Sequence, residues 1–510
     1  MSKRFYITTA IAYPNGKPHM GHAYEAIATD AIARFKRLDG FDVRFLTGTD
    51  EHGLKIAQAA RSEGVEPREY VDRTSQPFID LDRQLGISFD RFIRTTDADH
   101  KTLCQELWQR MAAKGDLYLG RYEGWYSVRD EAYYDETELI TAEDADGKPI
   151  KLSPQQTPVE WTVEESWFFK LSAYAQPLLD LYANHPDFIQ PISRFNEMHA
   201  FVAGGLSDLS MSRTSFDWGV PVPGSPGHVM YVWVDALANY LTGAGGLDGE
   251  WWPADLHIIG KDVVRFHAIY WPAFLMSADL PLPKTVFGHG FVLNRGVKMS
   301  KSDGNVVDPV EMATRFGVDR LRWFLLREVA FGEDGSYSDA AIIERSNADL
   351  ANGIGNLAQR ALSMVAKNLG GAMPGPGPGG TGAEALTDSI KALTGAYFAA
   401  MNGLQLNKAL EAVMGMVNAT NGYFAENAPW GLAKTDVGAM ADVLHATLDA
   451  TRRIVLLVQP VVPEASGLLL NQLGVRPDCR TFSHFDDVIP TGTQLPAPQG
   501  VFPRWTEVAA

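Results

Sequence analysis

The chain has 510 residues, 45% hydrophobic and 21% charged, which suits a large buried core and, at roughly 100–200 residues per domain, about three domains. No apolar run approaches the ~18 residues that cross a bilayer, and Met1 to Thr9 runs straight into a strand-like pattern without a signal or transit segment, so no membrane partner is expected. Cys104 and Cys479 lie far apart, which argues against a disulfide framework or a thiolate metal site and fits a reduced cytoplasm. A net charge of −17 speaks against a nucleic-acid partner, because phosphate contacts need Lys and Arg. From Arg345 onward, however, 11 basic and 13 acidic residues nearly balance, so a local basic face there stays open.

Phe5 to Ala12 reads as a buried strand and Pro14-Asn15-Gly16 as a turn. Gly21 to Leu38 carries apolar residues at helical spacing, and Asp42 to Leu46 is a second strand ending in Thr47-Gly48-Thr49-Asp50. This is a parallel βαβ unit, whose ligands sit at the carboxyl ends of the strands, where Tyr13–His22 and Gly48–Gly53 fall. Aromatic and turn residues crowd Tyr118 to Pro223 and interrupt the α/β rhythm, so this stretch reads as an insertion. The rhythm returns with a strand at Leu256–Gly260, an aromatic-rich helix over Asp262–Leu275 and a strand at Thr285–Gly288. From about Asp339 the pattern is helical: Ala348–Lys367, Asp388–Gly403, Asn407–Asn427 and Ala439–Gln459, with the Gly/Pro-rich loop Gly370–Gly382 joining two of them.

Two motifs carry phosphate chemistry. His19-Met20-Gly21-His22 sits where a strand hands over to a helix N-terminus, whose free N–H groups and dipole favour an anion. Gly21 lets a nucleotide approach the backbone, and two imidazoles three apart can donate to phosphate oxygens. Lys298-Met299-Ser300-Lys301-Ser302 follows a hairpin-type turn at Asn294-Arg295-Gly296 and precedes Asp308-Pro309-Val310-Glu311, a capped helix start. Such a loop can close over a triphosphate and place two ammonium groups on it. Either motif alone could be a plain turn or a solvated basic loop; the pair in this order points to a nucleotide site.

The pair resembles the class I aminoacyl-tRNA synthetases. Ala10–Gly16, Gly48–Gly53, Tyr122–Tyr126, Asp217–Pro223, Tyr231–Ala236, Gly260–Asp262 and Asn427–Trp430 narrow the resemblance to the methionyl-tRNA synthetases, over nearly the whole length. It implies ATP carried with Mg2+ as co-substrate, L-methionine and tRNA(Met), initiator tRNA included, as partners, and ligation for protein synthesis as the activity. His19, His22, Lys298 and Lys301 would act on the phosphates, with Gly21, Gly260, Asp262, Met299 and Ser300 completing the ATP site. Asp262 could equally be a helix N-cap.

By the same resemblance, the methionine ammonium would be held by Asp50 and the Ile11 carbonyl. The side chain would enter a pocket of Tyr13, Trp233, Ala236, Leu237, Tyr240, Val263, His267 and Trp271. Its sulfur would be read by the Tyr240 hydroxyl and the Ile11 N–H. Taken alone, Trp233 and Tyr240 read as core; the flanking motifs make them a pocket. Some relatives have leucine where Ile11 stands and proline where Leu237 stands. Asn356 and Arg360, four apart on a helix, and Trp430 after Pro429 would read the anticodon by base edges and stacking. Residue types alone favour a structural Asn–Arg pair and a core tryptophan; the two sequence contexts together tip the reading to recognition.

The implied architecture is a Rossmann-type parallel-sheet catalytic domain in two halves, 1–117 and 224–300, split by a connective insertion at 118–223. A lysine loop and stem-contact region at 301–344 and an α-helical anticodon-binding bundle at 345–510 follow. Many relatives hold zinc on paired cysteines in the insertion. Here Ser127-Val128-Arg129-Asp130 and Ser153-Pro154-Gln155-Gln156 supply no thiolate, so no structural zinc or other metal is expected, Asp130 reads as part of a solvated loop, and the insertion should fold on its aromatic cluster. No C-terminal oligomerisation module follows Trp505, so a monomer is expected. Synthetases for leucine, isoleucine or valine would need a larger insertion, and that for cysteine its zinc thiolates. A small nucleotidylyltransferase would lack the helical C-terminal part, and a silent paralogue would not need both phosphate motifs.

Overall fold

The computed structural model describes residues 3–130, 132–144, 147–294, 296–297, 307–377 and 380–506. Six parallel strands form the central sheet in the order Arg91–Arg94, Asp42–Thr49, Arg4–Thr9, Leu256–Gly260, Val286–His289, Ile189–Gln190. Successive strand residues face opposite sides. Ile7, Phe45, Ile258 and Phe287 enter one core, while Tyr6, Leu46, Ile259 and Val286 enter the other. Both faces are covered, so consecutive residues of the central strands are buried whichever side they face.

One face packs on the Met20–Leu38 helix and, through it, on the C-terminal helices: Phe35 meets Tyr397, Phe398 and Phe482 at 5.5–6.1 Å between ring centroids. The other packs on the helices Ala98–Lys114 and Val232–Ala244 and on Trp271. Strand order reverses between Arg4–Thr9 and Leu256–Gly260, so the crevice beyond their carboxyl ends is the place for a ligand in such a sheet.

Within 118–223 an antiparallel sheet runs Leu209–Ser210, Glu160–Phe169, Leu117–Ser127, Ala132–Tyr134, its long pair in register from Leu117 opposite Phe169 to Tyr126 opposite Glu160. Ile189–Gln190 pairs instead with Val286 and Phe287, so the chain rejoins the parallel sheet well before residue 223. After the sheet, Val292–Asn294 pairs parallel with Gly335–Tyr337. The helices Asn356–Asn368, Ala383–Asn402, Leu406–Asn427 and Val437–Val458 then stack into an all-helical layer.

Candidate active site

At the switch point, the first strand splays from its neighbours. The Ala10 N–H donates to the Ile258 carbonyl, while the Ala12 N–H donates to that of Gly48 and the Ala12 carbonyl accepts from Asp50. Among the described residues, neither the N–H nor the C=O of Ile11, which lies between these two attachments, is taken. Asp50 follows the adjacent strand and is largely buried. Tyr13 leans over the same segment, its hydroxyl donating to the His52 carbonyl at 3.2 Å.

His19 caps the Met20–Leu38 helix. Its Nδ1 accepts from the Gly21 N–H at 3.1 Å, and the Nδ1 of His22 accepts from the His19 N–H at 3.1 Å. With Nδ1 an acceptor in both rings, Nε2 carries the proton of each neutral imidazole, the form that donates to a phosphate oxygen. The rings stack at 3.9 Å. Gly21 leaves room for the His19 ring here, because a Cβ would lie 2.9 Å from it and the ring would have to move. Across the crevice, Gly260 ends the central strand, and a Cβ on it would lie 2.6 Å from the Asp262 carboxylate. Asp262 is exposed and does not cap the turn that follows; Gly260 holds the capping position. Lys298, Met299, Ser300, Lys301 and Ser302 lie outside the described residues. After them, Asp308 caps the Pro309–Phe316 helix with bonds to the N–H groups of Val310 and Glu311.

Trp233, Ala236, Leu237 and Tyr240 share one face of the Val232–Ala244 helix, at i, i+3, i+4 and i+7. Opposite them, the stretch expected as one helix over 262–275 is a 3-10 turn at Lys261–Val263, a π-helical Phe266–Tyr270 and an α-helix at Trp271–Ser277. Pro272 supplies the local cause. It has no N–H for the Ala268 carbonyl, which accepts the Tyr182 hydroxyl at 2.7 Å instead, and the turn widens. Phe266, which the sequence did not single out, stacks on Trp233 at 3.7 Å and 6°.

His267 Nδ1 faces the Val263 carbonyl at 2.9 Å and so carries a proton; its Nε2, 2.6 Å from the Tyr240 oxygen, then accepts from that hydroxyl. Burial pushes the imidazole down to about 4, which keeps it neutral in this arrangement. The Tyr240 proton is therefore committed to His267. The Trp271 indole N–H is fully buried without a partner among the described residues.

Two buried networks that the sequence did not announce frame this site. Glu51 accepts from Thr49 at 2.8 Å, Ser75 at 2.6 Å, Thr96 at 2.5 Å and Arg94 at 2.6 Å, and its carbonyl accepts the Trp218 indole. Glu25 and His289 pair at 2.8 Å on the helix side. Burial works against charge on both and raises the Glu25 carboxyl, while the carboxylate outweighs burial at His289 and raises the imidazole above its ordinary value.

In the insertion, Ser127, Asp130, Ser153 and Thr157 close on one another. Ser153 donates to Asp130 at 2.6 Å, Thr157 and Tyr134 also donate to it, Ser127 and Thr157 lie 2.6 Å apart, and the Asp130 N–H donates to Ser127. The expected solvated loop around Asp130 is thus a packed knot of oxygens: Ser127, Ser153 and Thr157 are buried and their hydroxyls are spent on one another and on the carboxylate. Trp125 packs edge-on to Trp161 at 5.4 Å beside it.

Far from the sheet, Asn356 and Arg360 lie one turn apart on the Asn356–Asn368 helix, directly after a π-helical Ser346–Gly355. The Arg360 guanidinium lies over Phe424 at 4.8 Å and over Trp430 at 5.6 Å. Trp430, at the start of the Pro429–Thr435 helix, is 48% exposed, which leaves an indole face for stacking.

A family model described as tRNA synthetases class I (M) matches residues 5–362, and one described as the anticodon binding domain of methionyl tRNA ligase matches residues 373–509. The chain is 56% identical to the methionine–tRNA ligase of Brucella suis biovar 1, over 99% of this chain and 98% of that protein. Among solved structures, Mycobacterium tuberculosis methionyl-tRNA synthetase in complex with methionyl-adenylate aligns with a TM-score of 0.95 at 55% identity, covering 98% of this chain and all of that one. The free-state structure from the same organism aligns at 0.89 and 51% identity, covering 100% of this chain and 99% of that one.

Proposed function

The chain belongs to the methionine-specific class I tRNA synthetases, and from that premise we propose how its residues run the two steps: activation of L-methionine by ATP, then transfer of the methionyl group to the 3′ end of tRNA(Met), initiator tRNA included. The observation that carries this reading is the Ile11 backbone, left open between two anchored neighbours beside Asp50, with His19 and His22 at the start of the helix that follows the same strand.

In the first step a methionine carboxylate oxygen attacks the α-phosphorus and pyrophosphate departs. All reacting atoms belong to substrates, so the protein contributes placement and charge compensation. Asp50 and the Ile11 carbonyl hold the ammonium, and the Ile11 N–H faces the sulfur. Trp233, Ala236, Leu237, Val263 and Trp271 line the side-chain pocket, where Tyr240 holds His267. His19, His22 and the helix N-terminus meet the phosphates, Gly260 and Asp262 the ribose, and Lys298 and Lys301 the departing pyrophosphate. Mg2+ arrives on the ATP phosphates. In the second step a ribose hydroxyl of the terminal tRNA adenosine attacks the activated carbonyl and AMP leaves. Asn356, Arg360 and Trp430 read the anticodon.

A zinc-free insertion is supported by the oxygen knot at Asp130, whose donors are hydroxyls rather than thiolates. ATP and tRNA as substrates support a cytoplasmic setting; among the described residues no helix is long and apolar enough to cross a membrane.

The test is ATP–pyrophosphate exchange with each of the twenty amino acids. Exchange with methionine alone is expected; exchange with another amino acid, or none, overturns the reading. Lys301→Ala should slow adenylate formation in a single turnover while methionine binding, read by tryptophan fluorescence, stays near normal.

A further inference from the structure

The segment that carries Asp50 and the helix that carries Trp233, Ala236 and Tyr240 are joined at a buried carboxylate outside the pocket itself. Asp235 Oδ2 lies 2.6 Å from His52 Nδ1, two residues beyond Asp50, and Asp235 Oδ1 lies 2.7 Å from His100 Nε2. His100 Nδ1 in turn meets the Thr242 hydroxyl at 2.9 Å on the same helix as Asp235. All four residues are buried. His52 also stacks edge-on against Trp218 at 5.3 Å, and its carbonyl accepts the Tyr13 hydroxyl. Burial alone would drive the Asp235 carboxyl up; the His52 and His100 rings outweigh it and hold it below the usual carboxylate range.

We propose that Asp235 is a positioning residue for amino-acid activation: by holding His52 on one oxygen and His100 on the other, it fixes the Asp50–His52 segment against the Val232–Ala244 helix and thereby sets the spacing between the ammonium site and the aromatic wall of the pocket. This rests on the methionine reading above.

The register explains why a separate residue is needed. The pocket residues of the helix occupy one face, and Asp235 stands on the neighbouring one, pointing to His100 on the Ala98–Lys114 helix. Glu51 fixes the same segment from the other side, toward Ser75, Arg94 and Thr96. The segment is clamped on both flanks, and Asp235 is the flank that carries the pocket's own helix. Cys104 Sγ, 3.3 Å from His100 Nε2 and 3.7 Å from Asp235, gives the cluster a metal-ligand composition. The imidazole–carboxylate contacts are nevertheless hydrogen bonds in length, and burial, reinforced by Asp235, holds the thiol protonated. A resident metal is therefore an outcome to test against.

The experiment compares Asp235→Asn, His52→Ala and His52→Asn with the unaltered enzyme in methionine-dependent ATP–pyrophosphate exchange. His52→Asn places an amide N–H near the position of Nδ1 and keeps a donor for Asp235. For Asp235→Asn and His52→Ala the KM for methionine should rise about ten- to a hundredfold, as for loss of a buried charged hydrogen bond, while the KM for ATP moves less than about threefold. His52→Asn should recover most of the loss. If Asp235→Asn does not fold by circular dichroism, the two His52 variants carry the comparison, since each disturbs one bond. An unchanged methionine KM in the folded variants, equal losses for both substrates, or one stoichiometric metal ion per purified chain would overturn the proposal. Failure of the unaltered enzyme to exchange with methionine would instead sink the reading on which it rests.

Discussion

Arg322 joins the helix that begins at His19 to the C-terminal helical layer, and its removal should cost about 3 kcal/mol of stability. Its guanidinium is fully buried and lies 2.6 Å from Asp30 on the Met20–Leu38 helix, while donating to the carbonyls of Val461 at 2.8 Å, Pro460 at 2.9 Å and Leu85 at 3.3 Å. Arg322→Met keeps the length of the side chain and removes the charge. Three carbonyls lose a donor, and Asp30 is left in the interior with Arg34 at 2.7 Å and Ser88 as its remaining partners. Breaking a buried pair on one side costs about 3–5 kcal/mol, and the surviving Arg34 contact places the loss at the lower end. Asp30→Asn combined with Arg322→Met should recover part of it, because no bare charge is then buried. Burial pushes the Asp30 carboxyl up, but Arg322, Arg34 and Ser88 together bring it below its ordinary 3.8. A carboxylate depressed by folding stabilises fully above its unfolded value and loses that contribution as pH falls through its folded value. The Arg322→Met deficit, read from urea unfolding, should therefore be constant from neutral pH down to about pH 5 and shrink below about pH 4. A deficit under 1 kcal/mol at neutral pH, or one that grows on acidification, would refute the argument.

Tyr240→Phe leaves His267 Nε2 buried without its donor at a cost of about 1–3 kcal/mol, and the methionine KM should rise about tenfold in pyrophosphate exchange; an unchanged KM would show that the ring alone shapes the pocket. Trp430→Ala should lower kcat/KM for tRNA aminoacylation at least tenfold while leaving pyrophosphate exchange intact, since stacking on an aromatic is worth about 1–3 kcal/mol per base; parallel losses in both assays would count against anticodon contact. Asp130→Ala takes the acceptor from two buried hydroxyls, Ser153 and Thr157, and from the half-buried Tyr134, so the insertion should become the first site of limited proteolysis, with a local loss of about 2 kcal/mol that added zinc does not restore; rescue by zinc would mean that the knot is a metal site.

The parts legible in the sequence are those whose cause is local. The strand–turn–helix at 5–38 follows from apolar spacing and a proline–glycine turn, and the structure has Arg4–Thr9 and Met20–Leu38 there. The cap at Asp308 follows from four consecutive residues. Pro272 was equally visible, yet the π-helical turn before it was not, because the Ala268 carbonyl it frees is satisfied by Tyr182, 86 residues away. Ile189–Gln190, two residues in an aromatic-rich stretch, carries no periodicity that would assign it to the parallel sheet; only the edge offered by Val286 and Phe287 makes it a strand. Asp235, separated from His52 by 183 residues and from His100 by 135, reads as an ordinary helix acid until the fold brings the rings to it.

These long-range contacts have a common chemistry. In a reaction whose nucleophile, electrophile and leaving group all come with the substrates, a buried protein carboxylate serves best as a fixed acceptor, because rate depends on how rigidly the donors are held before the reaction begins. Glu51 with four side-chain donors, Asp235 with two imidazoles, Asp30 with Arg322, Arg34 and Ser88, and Asp130 with three hydroxyls all fit that use. Asp50 differs from them in its place: it stands at the strand end beside the open Ile11 backbone, where the proposed function puts the methionine ammonium. The division between carboxylates that hold the frame and the one proposed to meet the substrate is a property of where the strands end, so replacing Glu51 or Asp235, which clamp the Asp50 segment, should act on affinity through Asp50, whereas Asp30 and Asp130 act on stability.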